Sequence, residues 1–101
     1  MIRIYDAAFA SVTGKEHWHL ETFWWINSAG KKGRWSRAEA YDYVKNHPKT
    51  VYVKEGKDQV LVYHQYHQST GTKWIQTYAD GVWKDNLTAL AERHRRGLPN
   101  N

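Results

Sequence analysis

The chain contains no cysteine, two prolines and a single methionine in 101 residues. Without cysteine there are no disulfides, no thiolate zinc sites and no thiol nucleophile. No apolar run approaches the roughly 18 residues of a membrane span. The opening Met1-Ile2-Arg3-Ile4-Tyr5-Asp6 lacks the apolar stretch of a signal peptide, so a cytoplasmic protein without a membrane partner is expected. There is no internal repeat and no low-complexity linker. The length suits one domain and excludes a full β/α barrel or a complete dinucleotide-binding fold. A single domain is expected over residues 1–97, with a short tail over 98–101.

Aromatic residues are abundant, with six Trp, seven Tyr and two Phe, alongside six His. Such rings bury large areas and favour strands. The net charge of +5 is uneven. Lys31, Lys32, Arg34 and Arg37 form one acid-free cluster, and Arg93, Arg95 and Arg96 form another. The rest of the chain carries a slight excess of acid, which fits local anion-binding patches better than a general polycation.

Residues 2–12 read as a first strand and 17–27 as the clearest one. Alternation in the second strand puts Trp18, Leu20, Trp24 and Ile26 on a core face. It puts His17, His19, Glu21, Phe23 and Trp25 on an opposite aromatic face. Residues 28–35 read as a loop. Ser36 and Glu39 have capping-box spacing for a helix ending near His47-Pro48, with Ala40, Tyr41 and Val44 inward. Three strands follow over 51–55, 59–68 and 73–78, with turns at Gly56 and Asp80-Gly81. Asp85 or Asn86 then caps a last helix, with Leu87, Leu90 and Ala91 inward, and Gly97 stops it. The expected fold is α+β, in the order strand-strand-helix-strand-strand-strand-helix. Its sheet is five-stranded and mostly antiparallel, with both helices mainly on one face.

His17 and His19 share a face as two metal ligands would, yet no complete ligand set accompanies them, so no metal or cofactor is expected. Glu21 on that face suits a charge pair. No nucleophile–base set stands out. Lys31, Lys32, Arg34 and Arg37 surround Trp35, a pattern suited to holding phosphates and stacking a base. Equally, large rings usually bury, and basic residues at a helix C-terminus complement its dipole.

The segment Lys73 to Leu87 contains Thr77-x-x-Asp80-Gly81-x-x-x-Asp85-Asn86-Leu87, and the earlier helix starts Ser36-Arg37-Ala38-Glu39. In these motifs the chain resembles a small domain-of-unknown-function family of bacteria and their phages. The resemblance runs from about residue 17 to Leu90 and implies a strand–strand–helix–three-strand fold. It also implies the cytoplasm of a bacterium or an infected host cell. The basic helix through Arg96 extends past the usual end of such domains. Turn and cap chemistry accounts for Thr77, Asp80, Gly81, Asp85 and Asn86, so they are expected to be structural. The expected function is a non-enzymatic binding module of phage-accessory type. It contacts a host protein or itself through the aromatic strand face of His17, His19, Phe23 and Trp25. A nucleic-acid-binding protein using residues 31–37 and the basic C-terminal helix is the alternative, and a small enzyme the third.

Overall fold

The structure is a computed structural model that describes residues 1–99, so the last two residues of the expected tail lie outside the described residues. The β-rich, Gly-punctuated sequence folds as β1 (Ile2–Phe9), β2 (Leu20–Asn27), β3 (Lys32–Ser36), α1 (Arg37–Asn46), β4 (Val51–Glu55), β5 (Asp58–His67), β6 (Thr72–Ala79), β7 (Val82–Lys84) and α2 (Asn86–Arg95). A 3₁₀ turn, His17–His19, precedes β2. The strands form one mixed sheet in the order β3-β2-β1-β4-β5-β6-β7. Neighbours pair antiparallel except β1 and β4, which run parallel.

The expected five-stranded sheet therefore has seven strands. β3 occupies the stretch expected as a loop, because pairing with β2 recruits a segment of poor strand propensity. β7 is a short return strand. Asp80 (φ 55°) and Gly81 (φ 79°) both sit at positive φ, as the tight turn between β6 and β7 requires.

Two bulges decide which residues face the core. In the β1–β2 ladder Ile4 pairs with Trp25 but Asp6 with Trp24, so Tyr5 is extra. Further along, Ala8 pairs with Thr22 but Phe9 with Leu20, so Glu21 is extra. Each inserted residue reverses the alternation. Ile4 and Ala7, and likewise Leu20 and Phe23, are thus buried together despite a spacing of three.

One buried cluster draws on every strand except β7 and on both helices. Ala40, Tyr41 and Val44 supply the stripe of α1, as the spacing predicts. Its capping box is complete: Glu39 N–H donates to Ser36 Oγ (3.2 Å) and Ser36 N–H to Glu39 Oε1 (2.9 Å). Leu87 and Ala91 anchor α2, and Gly97 (φ 75°) ends it, with Leu98 N–H donating back to Arg93 O at 2.8 Å. Among the described residues no helix is long and apolar enough to cross a membrane.

Candidate functional site

The aromatic platform expected on the second strand does not form. Phe23 is wholly buried, and Trp25 packs on the core with its ring 5.4 Å from that of Trp35. Trp35, 9% exposed, stacks in turn on Tyr43 at 4.8 Å and offers no ring to a ligand. The bulge at Glu21 is the physical cause. Trp18, expected in the core, is instead 39% exposed.

His17 and His19 lie in the 3₁₀ turn rather than on a common strand face. The backbone N–H groups of Lys15 and Glu16 both donate to His19 Nδ1 at 3.2 Å. His17 is half-buried, and its Nε2 is enclosed without a partner. Burial lowers its pKa below 6.5, against the opposing pull of Asp85, the Lys84 backbone and Glu16. Among the described residues no group of three or more His, Asp or Glu gathers as metal ligands.

The two basic clusters separate into engaged and free cations. Arg37 donates to the carbonyl of Trp18. Arg95 ties down the loop after β1, donating to Ser11 O and Gly14 O at 2.9 Å each while its guanidinium sits 4.3 Å over the Phe9 ring. Arg93 donates to Pro99 O at 2.8 Å. Arg96 is exposed beyond α2. Within the C-terminal cluster Arg93 and Arg95 thus fasten the chain, while all three arginines stay exposed. Lys31, Lys32 and Arg34 remain exposed, and Lys32 Nζ lies 5.6 Å from the Tyr5 ring centre.

Lys32 and Arg34 point to the sheet face opposite Trp35, and the strand registers extend that face into a continuous row. Lys32 pairs with Ile26, Ile26 with Arg3, Arg3 with Tyr52, and Tyr52 with Leu61. Beyond Leu61, on the same side of β5, Tyr63 meets Tyr78 at 5.9 Å and Trp83 at 6.3 Å. Tyr78 and Trp83 are cross-strand partners with ring centres 4.8 Å apart. None of these eight residues is buried, and none is acidic. The outward acids Asp6 and Glu21 lie to one side of the row; Asp6 accepts from His94 Nδ1 at 3.0 Å, and His94 stacks on Trp24.

The same face continues down β6 from Tyr78 through Gln76 to Trp74. There Trp74 meets Trp18 edge-on at 5.6 Å, and with His67, Thr70 and Thr72 they line a cleft of about 280 Å³. Trp74 Nε1 donates to Gln76 Oε1 (3.2 Å), and Gln76 Nε2 to Lys84 O (3.3 Å), which fixes the indole. His67 Nδ1 lies 3.1 Å from Ser69 Oγ. Beside the cleft, a second hollow is lined by His19, Glu21, Arg37 and Lys73. Sequence patterning missed this site because Trp18 was assigned inward. The alternation of Trp74, Gln76 and Tyr78 against Ile75 and Thr77 was the available signal.

The Thr77–Asn86 segment is built by its own bonds, with one change of roles. Asp85 makes no side-chain cap bond. Asn86 instead bridges elements: Thr77 Oγ1 donates to Asn86 Oδ1, and Asn86 Nδ2 donates to Glu55 Oε2, each at 3.0 Å.

No curated protein and no solved structure matches this chain. Residues 4–91 match the family described as protein of unknown function, DUF3892. That match runs from within β1 through β7 and into α2, and the chain belongs to this family.

Proposed function

We propose that the protein is a non-enzymatic binding module for single-stranded nucleic acid, working through the outer face of the sheet. The observation that carries this is the acid-free row from Lys32 through Arg3 to Tyr63, Tyr78 and Trp83. Cations at one end attract the phosphate backbone, and half-exposed rings at the other accept unstacked bases. Duplex DNA buries its base faces, so rings on a sheet favour single strands. The resemblance to bacterial and phage domains supports an accessory role in the cytoplasm of a bacterium or an infected cell.

Protein contact, expected first from sequence, loses its motive once Phe23 and Trp25 are in the core. Pairing of sheet edges between copies is also disfavoured. Lys32 and Arg34 guard one edge strand, and the other is only three residues long. The test is anisotropy of a labelled single strand of about ten nucleotides titrated with protein across salt concentrations. Replacing Lys32 and Arg34 by Gln should make the log–log salt slope shallower by about 1.4, two phosphates at about 0.7 each. Absence of binding at low salt refutes the proposal. So does binding whose slope those substitutions leave unchanged. A protein that binds no strand but forms a concentration-dependent dimer would instead restore the protein-partner reading.

A further inference from the structure

On the strength of that nucleic-acid reading, we infer that the Trp18–Trp74 cleft is a capture site for one unpaired base of the bound strand. Three observations converge on it. The cleft is continuous with the outer face, because Trp74 lies on the same side of β6 as Tyr78. Its volume of about 280 Å³ falls at the lower limit of small-molecule sites, which suits one ring system and excludes an extended cofactor. It is lined by two indoles held at 67° to one another, by His67 and by two threonines. A planar base that enters stacks on one indole, meets the edge of the other, and leaves its polar edge to His67, Thr70 or Thr72.

The adjoining hollow supplies the place for a phosphate. Two cations, Lys73 and Arg37, line it against one acid, Glu21. Lys73 Nζ rests 5.3 Å over the Tyr41 ring, and Arg37 holds the Trp18 carbonyl. Arg37 therefore fastens the 3₁₀ turn that carries Trp18 and brings a cation beside the cleft. Base in the cleft and phosphate at its side is the geometry of a nucleotide within a strand.

The experiment compares a labelled thymidine homopolymer of about ten nucleotides with an abasic strand of the same length. Both are titrated against the wild-type chain, Trp18→Ala and Trp74→Leu. Trp18 is 39% exposed in a short turn, so its replacement takes no buried side chain from the core; Trp74→Leu keeps the site filled while removing the ring, and thermal unfolding checks that both variants are folded. The expected result is that each variant weakens the thymidine strand about tenfold or more and leaves the abasic strand unchanged. Variants that bind the thymidine strand as tightly as wild type, while Lys32→Gln with Arg34→Gln weakens it, overturn the cleft and leave the outer-face reading standing. Equal loss for both strands also overturns it, because base capture cannot affect an abasic strand. If no strand binds wild-type protein, both proposals fall.

Discussion

The Thr77–Asn86 clamp makes a graded prediction that separates structure from chemistry. Thr77 is wholly buried and its hydroxyl donates to Asn86 Oδ1 at 3.0 Å. Asn86→Ala strands that hydroxyl in the core, which costs about 1–3 kcal/mol. Thr77→Val removes the donor with little change of shape, and water can reach half-buried Asn86, so about 1 kcal/mol is expected. In the Asn86→Ala background Thr77→Val should cost almost nothing more, because the stranded hydroxyl goes with it. Asp85 contributes its backbone carbonyl to Ala89 N–H and Thr88 Oγ1 and makes no side-chain cap bond. Asp85→Ala should therefore stay within about 0.5 kcal/mol of wild type. Urea unfolding followed by tryptophan fluorescence reads all four variants, and the double-mutant cycle gives the coupling directly. Additive losses, or Asp85→Ala matching Asn86→Ala, would refute the clamp. An Asn86→Ala protein that kept its midpoint but lost strand binding would make the segment a site.

Two further outcomes follow from local packing and burial. A Cβ on Gly33 would sit 2.2 Å from Trp25 Cζ2, and Trp25 is backed by Trp35, so Gly33→Ala should cost about 1–3 kcal/mol and lower the thermal midpoint; an unchanged midpoint contradicts the packing. His17 has its pKa lowered from 6.5 by burial, so as pH falls the unfolded chain takes up the proton first. Stability present above pH 6.5 is then lost below it and levels off under the lowered pKa. His17→Gln should reduce the fall of the unfolding midpoint between about pH 7 and about pH 5, and an identical fall in the variant would show that His17 does not contribute.

Much of the fold was legible because local chemistry and tertiary need agree. The Ser36–Glu39 box, the Ala40–Tyr41–Val44 stripe and the Asp80-Gly81 turn are each self-contained signals, and each occurs as spaced. The outer surface was not legible from alternation alone. A bulge adds one residue whose presence only the pairing partner reveals, and Glu21 thereby exchanged the two faces of β2. β3 carries Lys-Gly-Arg where a strand would favour branched or aromatic residues, so only its ladder with β2 identifies it. β7 is too short for any periodicity to register. The basic cluster was visible as a count. Which cations stay free depended on loop carbonyls that fold back on Arg37 and Arg95.

The placement of the six tryptophans argues for a working face rather than a sticky edge. Trp35 is buried and Trp25 packs against the same core. Trp18, Trp24, Trp74 and Trp83 stand outside that cluster with solvent contact, and Trp24, Trp74 and Trp83 lie on the outward side of their strands. Apolar area left in water forgoes about 25 cal/mol per Å², so half-exposed indoles add little to the stability of an isolated chain. Scattered singly they would need no account, but Tyr63, Tyr78 and Trp83 are in mutual contact, as are Trp18 and Trp74. Each group is braced by a neighbouring ring or, for Trp74, by Gln76, so the rings are held in place before anything binds. Such ordering reduces the entropy that a ligand must overcome. A partner that stacks flat rings and carries negative charge satisfies both the indoles and the cations of Lys32, Arg3 and Arg34, whereas a purely apolar partner would leave those cations unanswered.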